Sequence, residues 1–346
     1  MTAKYTLFPG ETALYSSANA KSLGDKRMID LKPIIQAVKQ AARLTTTVQQ
    51  MHFTKGEKDQ REPVTIADYG SQAILCRALA LAYPDDAVMA EENGAQFLSL
   101  VPDEGRAEVV RLVGAALGEK VTEADVVRWL DHGRDRSALR TWLIDPVDGT
   151  KGFIAMRRYS IAVAALEMGA PVAGIIGCPG YPSPDGKGYL FSAQRREAYT
   201  QLISGGGAFR VAVSNRASAP SFRVVESIEK AHANLSESAR VYAALGIPAS
   251  NVQQLDGQDK YAMIASGDAE LYVRLPREAV PQHRAWDHAA GTALVHAAGG
   301  VVTDIDGSPL DFSQGRILSR NRGMIVSNGR LHDKVVEAVG EVLKSG

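Results

Sequence analysis

The chain has 346 residues, of which 45% are hydrophobic and 23% charged, the balance of a globular protein with one large domain or two packed halves. Lysine plus arginine and aspartate plus glutamate number 39 each, so no net basic field favours nucleic acid or an anionic membrane, although a local cationic pocket for a small anion stays open. Cys76 and Cys178 lack metal-ligand spacing and make no disulfide framework. No window reaches the ~18 apolar residues of a membrane span, and the N-terminus lacks a basic start followed by an apolar run. The expectation is a cytoplasmic protein with buried free thiols.

Residues 1–25 carry no periodicity and read as an arm. Apolar residues at helical spacing predict a helix over 30–50, with Asp30 placed to cap and Pro33 tolerable in the first turn. A second helix is predicted over 70–83, stopped by Pro84, with Asp68 at its entrance as an N-cap. The short strand "AVMA" then runs into Glu91-Glu92. Charged helical stretches follow, one opening at Thr122 with Asp125 three residues on, as a capping box does, and closing at Gly133. The pattern turns to strands at "TWLID", "YSIAVAALE", "PVAGIIGCP", "GYLFSA" and "FRVAVS", with the run Gly205-Gly206-Gly207 as a turn. From 221 onward strand and helix alternate through "FRVVES", "QDKYAMIASG", "AELYVRL", "WDHAAGTALVHAAGG", "VVTDI" and "GMIVS" to a closing helix. This order predicts a mixed α/β protein of two fused halves, 26–215 and 216–346.

The stretch "WLIDPVDGTKGF" carries the chemistry. A strand ending in Asp-Pro-x-Asp-Gly-Thr delivers Asp145 and Asp148 where α/β folds place ligands, and a helix opening at Thr150 would aim free N–H groups at the same spot. A bare Asp-x-x-Asp is more often a solvated turn; the six-residue string is far more specific. Hard divalent cations take oxygen ligands, and Glu91, Asp68 and Asp287 also stand at the ends of predicted elements, where capping is the plainer role for the two aspartates. Lys260 and Arg274 suit an anion, or equally a surface ion pair. His232 on its own reads as a loop histidine.

Taken in order, "PVTIADYGSQ", "AEEN", "DPVDGTKGF" and "WDHAAGTALVHAAGGVVTDIDGSPLDF" resemble the signatures of the inositol monophosphatase-like, Mg²⁺-dependent, lithium-sensitive phosphatases. "GTKGF", "GIIGCPG", "VVESIEKAH", "LDGQDKY" and "LYVRLP" resemble the bisphosphate nucleotidase branch of that family. The resemblance implies a layered αβαβα sandwich of the inositol monophosphatase/fructose-1,6-bisphosphatase kind. It further implies two or three Mg²⁺ ions on Glu91, Asp145, Asp148, the carbonyl of Val147, Asp287 and Asp68. Asp68 and Thr150 would serve catalysis. Gly149 and Thr150 would contact phosphate, and His232, Lys260 and Arg274 the nucleotide. The implied substrate is 3'-phosphoadenosine 5'-phosphate, a by-product of sulfate activation. The alternatives are an inositol polyphosphate 1-phosphatase and a non-catalytic nucleotide sensor.

The chain departs from the family at three places. Ala90 and Asn93 flank the acidic pair where Gly and Ser are usual, and Gly257 replaces a substrate-side serine. Arg157-Arg158 stands where relatives commonly show Arg-Gly-Glu-Gln, which implies a more cationic loop and a wider choice of anionic substrate.

Overall fold

The computed structural model describes residues 28–55, 62–228, 235–276 and 283–345. The expected arm and His232 lie outside them. The chain divides into two units, Met1–Asp30 and Leu31–Gly346, and the architecture below is that of the second.

Two long helices lead, α1 (Lys32–Lys55) and α2 (Glu62–Ala82). In α1 the buried residues Ile34, Ala37, Val38, Ala41 and Val48 recur at three- and four-residue spacing, which makes one apolar face. Then come β1 (Ala87–Ala90), α3 (Gly94–Leu100), α4 (Asp103–Leu117), α5 (Glu123–Leu130) and β2 (Arg140–Asp148). The capping box forms as expected: the Asp125 carboxylate accepts from the Thr122 N–H at 3.0 Å, and the Thr122 hydroxyl accepts from the Asp125 N–H at 3.2 Å. A short helix, α6 (Thr150–Ile154), opens the meander β3 (Ser160–Glu167), β4 (Ala170–Cys178), β5 (Tyr189–Gln194), β6 (Glu197–Leu202) and β7 (Phe209–Arg210). The remainder is β8 (Val224–Ser227), α7 (Leu235–Ala244), β9 (Val252–Leu255), α8 (Asp259–Ala265), β10 (Leu271–Arg274), α9 (Trp286–Ala297), β11 (Val301–Thr303), β12 (Met324–Ser327) and α10 (His332–Lys344).

The first sheet runs β1-β2-β3-β4-β5-β6-β7 in sequence order; β1 and β2 are parallel and the rest antiparallel. The second runs β11-β12-β10-β8-β9, with β8 parallel to both β9 and β10. α1 and α2 pack on the first sheet, α9 touches strands of both sheets and also α8, and α7 and α10 pair beyond the second sheet. The layers therefore read αβαβα. Alternate residues of the second sheet face opposite cores: Val225, Tyr272 and Val326 join Leu143, Ile176 and α9, whereas Val224, Val273 and Ile325 join α7 and α10. Burying each such Val, Leu or Ile side chain contributes about 1.5–3 kcal/mol, so the shared core is what fuses the two sheets.

Three expectations change. The second helix begins at Glu62, well before 70, so Asp68 is an interior residue of α2 and not its cap. Nothing between 62 and 70 stops a helix: Pro63 sits in the first turn, where its missing N–H has no intrahelical partner to lose. β2 likewise does not end at Asp145. It continues through Pro146 to Asp148, with a bulge between the two aspartates opposite β3. The short elements α3, β6 and β9 escaped the sequence pattern, while "FRVAVS" contributes only the two residues of β7.

Candidate active site

The parallel pairing of β1 and β2 sets the acidic wall. Ala90 lies opposite Ile144, so Glu91, one residue past β1, emerges beside Asp145. The bulge then turns Asp148 toward the same edge. α2 braces both acidic segments from behind: the Ser71 hydroxyl donates to the Pro146 carbonyl at 2.9 Å, and the Gln72 amide exchanges hydrogen bonds with the main chain of Glu92 at 2.8 and 2.9 Å. Asp68, one turn before these residues, is buried next to Glu91 and Glu92. From the far side, Arg316 donates to the Ala90 carbonyl at 3.1 Å and lies 4.6 Å over the ring of Trp286, which starts α9. Asp287 follows in the first turn of that helix.

These groups surround a cleft of about 500 Å³ lined by Glu91, Asp145, Val147, Asp148, Gly149 and Thr150 on one side. Asp287 adds a further carboxylate, and Gly257, Lys260 and Arg274 join the lining. Asp68 stands behind the wall, outside the lining. Its charge is nonetheless felt at Asp145.

The electrostatics are those of crowded carboxylates. Burial, then Asp148 and Glu91, push Asp145 far above its ordinary range. Asp68 is pushed up in the same way by burial and by Glu91 and Glu92. Glu91 faces the open cleft, yet burial among its neighbours, with Glu92 and Asp148, raises it to about 7 against the pull of Arg284 and Arg316. Asp287 rises to about 8 through burial and Asp148, with Arg274 opposing. Burial raises Asp148 as well, with Lys260 and Arg274 pulling the other way.

This arrangement fits a hard divalent cation. The donors are all oxygens, the carboxylates repel one another, and the buried Oδ1 of Asp145 has no hydrogen-bond partner. Among the described residues no three His, Cys, Asp or Glu side chains close into a finished shell. A small cation that keeps its waters and takes one or two carboxylates plus substrate phosphate needs none.

The second wall differs from its sequence reading. Lys260 does not point its ammonium outward: it donates to the carbonyls of Leu255 (3.3 Å) and Gly257, and lies 5.6 Å over the Tyr272 ring. Arg274 is buried in the wall at 7% exposure. Gly257 has φ +71°, and a Cβ there would come within 2.9 Å of the Asp148 carbonyl, while one on Gly149 (φ +91°) would meet the Gly257 nitrogen at 2.9 Å. The glycine is thus required by backbone packing as well as being a missing hydroxyl. Arg157 and Arg158 are not free cations, since they pair with Asp256 (2.9 Å) and Asp259 (3.5 Å). Gln258, Arg284 and Arg316 went unrecognised in the sequence. Gln258 had a signal in its neighbours Gly257 and Lys260, but Arg316 had none, because its partner is 226 residues away.

The model of the inositol monophosphatase family matches residues 30–344. The chain is 32% identical to the 3'(2'),5'-bisphosphate nucleotidase 1 of Candida albicans, over 91% of this chain and 96% of that protein. It is 36% identical to the 3'(2'),5'-bisphosphate nucleotidase of Emericella nidulans, over 83% and 90% of the two chains. A 3'(2'),5'-bisphosphate nucleotidase of Oryza sativa is 32% identical, over 94% and 97%. Among solved structures, an IMPase of Thermotoga maritima superposes with a TM-score of 0.57 at 20% identity, covering 90% of this chain and 96% of that one. That likeness is one of fold.

Proposed function

We propose, from the premise that the chain belongs to the inositol monophosphatase family, that it is a Mg²⁺-dependent phosphatase acting on 3'-phosphoadenosine 5'-phosphate. It removes the 3'-phosphate to give AMP and inorganic phosphate, clearing a by-product of sulfate activation in the cytoplasm. The observation that carries this reading is one cleft lined both by the carboxylates Glu91, Asp145, Asp148 and Asp287 and by Lys260 and Arg274. One wall suits cations and the phosphate under attack; the other suits a second phosphate. The names of the relatives, nucleotidases from fungi and a plant, support the same substrate.

Glu91, Asp145, Asp148 and the main-chain carbonyl of Val147 would hold Mg²⁺, with Asp287 serving a second ion and Asp68 a third. When bound, such ions neutralise the phosphate and make water a better nucleophile, which a phosphomonoester requires because its spontaneous hydrolysis is extremely slow. The Thr150 hydroxyl orients the attacking water and passes its proton toward Asp68. Gly149 would offer its main chain to the phosphate, while its missing side chain makes room for the Gly257 loop. Arg274 meets the second phosphate through its guanidinium fork, Lys260 adds charge from the base of the wall, and His232 completes the nucleotide contacts.

A substrate panel with Mg²⁺ tests the reading. Phosphate release from 3'-phosphoadenosine 5'-phosphate is expected to exceed that from inositol phosphates, and lithium is expected to inhibit it. Clear preference for an inositol phosphate overturns the substrate assignment. Nucleotide binding without turnover overturns the enzymatic one.

A further inference from the structure

The loop between β9 and α8 is built in a way that the proposed catalytic scheme does not use. Two buried aspartates, Asp256 (4% exposed) and Asp259 (0%), bracket Gly257 and Gln258. Each is held by one member of the dipeptide between α6 and β3. Arg157 Nε donates to Asp256 Oδ2 at 2.9 Å, and Arg158 Nη1 reaches Asp259 Oδ2 at 3.5 Å while its guanidinium lies 5.4 Å over the Tyr181 ring. The two segments also interlock through main chain, since a Cβ on Gly152 would meet the Arg158 carbonyl at 2.3 Å and the Asp256 Cβ at 2.7 Å. Between the clasped ends, Gln258 is 2% exposed. Its amide donates to the Trp286 carbonyl at 3.1 Å and to the Asp148 carboxylate. One side chain therefore spans from the end of β2 to the residue before Asp287. Asp256, Gly257 and Gln258 line the cleft, whereas neither arginine does.

We propose that Arg157 and Arg158 form a clasp on the Asp256–Asp259 loop that positions Gln258, which in turn fixes Asp148 relative to Asp287. The arginines and Gln258 are positioning residues, and the two arginines make no contact with substrate. The physical reason is the asymmetry of exposure: the Asp256 side chain is 2% exposed and that of Arg157 45%. Loss of the guanidinium strands a buried carboxylate, and the loop must move to rehydrate it. The hydrogen bond from Gln258 to Asp148 moves with the loop. An outer-shell donor of this kind orients a ligating carboxylate. The proposal rests on the divalent-cation reading of the cleft and not on the identity of the nucleotide.

The test compares the full chain with Arg157→Met, Arg158→Met, Gln258→Met and Arg157→Lys. Mn²⁺ binding is measured by electron paramagnetic resonance, and kcat and KM are measured with 3'-AMP and with 3'-phosphoadenosine 5'-phosphate. Arg157→Met and Gln258→Met are each expected to weaken Mn²⁺ binding about tenfold, the lower end for a lost outer-shell partner. Both should lower kcat by a similar factor on the two nucleotides, leave the ratio of their KM values unchanged, and Arg157→Lys should recover part of the loss. Near-UV circular dichroism identifies any variant that fails to fold, and Arg157→Lys, which keeps the charge, then carries the comparison. Unchanged Mn²⁺ binding in folded variants overturns the clasp. So does a KM that rises selectively for the bisphosphate, which would mark the arginines as direct anion contacts. Mn²⁺ binding needs no substrate, so a wild-type chain inert toward both nucleotides overturns the proposed function alone.

Discussion

The two walls of the cleft present opposite charges, and they are made in opposite ways. The acidic wall is a product of sheet geometry, in which neighbouring parallel strands end together and a bulge turns one more residue to the same edge. Its carboxylates crowd one another and the Oδ1 of Asp145 has no hydrogen-bond partner, so their charge is held ready for a ligand. On the basic wall the cations face protein. Lys260 is turned onto backbone carbonyls, and around the cleft Arg157 and Arg158 are turned onto aspartates and Arg316 onto the carbonyl of Ala90. The lesson is that stored repulsion marks the chemical centre, and satisfied charge marks the frame around it.

The sharpest way to break this comparison is at Asp145. Asp145→Asn keeps the shape of the side chain and removes a buried carboxylate whose Oδ1 has no hydrogen-bond partner. Turnover should fall by more than about 100-fold, beyond what an outer-shell partner is worth. The melting temperature of the ion-free protein should hold or rise. A variant that stays active shows that the wall is not the chemical centre.

Arg274→Ala probes the other side. Loss of a charged hydrogen bond, about 1.5–3 kcal/mol, corresponds to a rise of about 10- to 100-fold in KM for the bisphosphate. The change in kcat should be small by comparison. If instead kcat collapses with KM unchanged, Arg274 belongs with the acidic wall and the division fails.

A pH series sharpens the contrast further. Burial and neighbouring carboxylates raise Glu91 to about 7 and Asp287 to about 8, whereas the same groups in the unfolded chain titrate near about 4. The folded state therefore binds more protons across that window, and stability of the ion-free protein falls as pH rises from about 4 to about 8. Above the folded-state values no further loss accrues from these groups. Melting curves in a chelator should show the decline, and saturating Mg²⁺ should flatten it; a level profile without ions contradicts the crowding.

The smallest effect is expected at Gly257. Restoring the family's serine there places a side chain at positive φ and against the Asp148 carbonyl, at a cost of about 1–2 kcal/mol from backbone conformation alone. Gly257→Ser should lower the melting temperature by a few degrees, about 2–4 °C per kcal/mol in a chain this long, without lowering KM. A lower KM would mean that the loop can accommodate the hydroxyl after all.

How much of this was legible beforehand follows from range. Asp145, Asp148 and Glu91 were readable because an apolar strand with a carboxylate at its end is a local pattern, and the layered fold followed from the family signatures. Asp68 was misplaced because no Ser, Thr, Asp or Asn stands directly before Glu62 in the sequence to signal a start, and the helix continues through Pro63 unannounced. β2 was cut short for the mirror-image reason: Pro146 looks like a stop, and only the bulge against β3 lets the strand pass it. The roles of Arg157 and Arg158 depended on partners 99 and 101 residues away, and that of Lys260 on a loop that curls its own carbonyls back onto the ammonium.

The hydrogen bond from Arg316 to the Ala90 carbonyl has a consequence for the chain as it is made. The glutamate one residue beyond that carbonyl waits for a support that leaves the ribosome 225 residues later, after Trp286 and Asp287. A nascent chain can form the first sheet and its helices long before the cleft is complete. Chains released before Trp286 therefore carry the DPVDGT motif but not the finished site, which is complete only once Asp287 and Arg316 have followed.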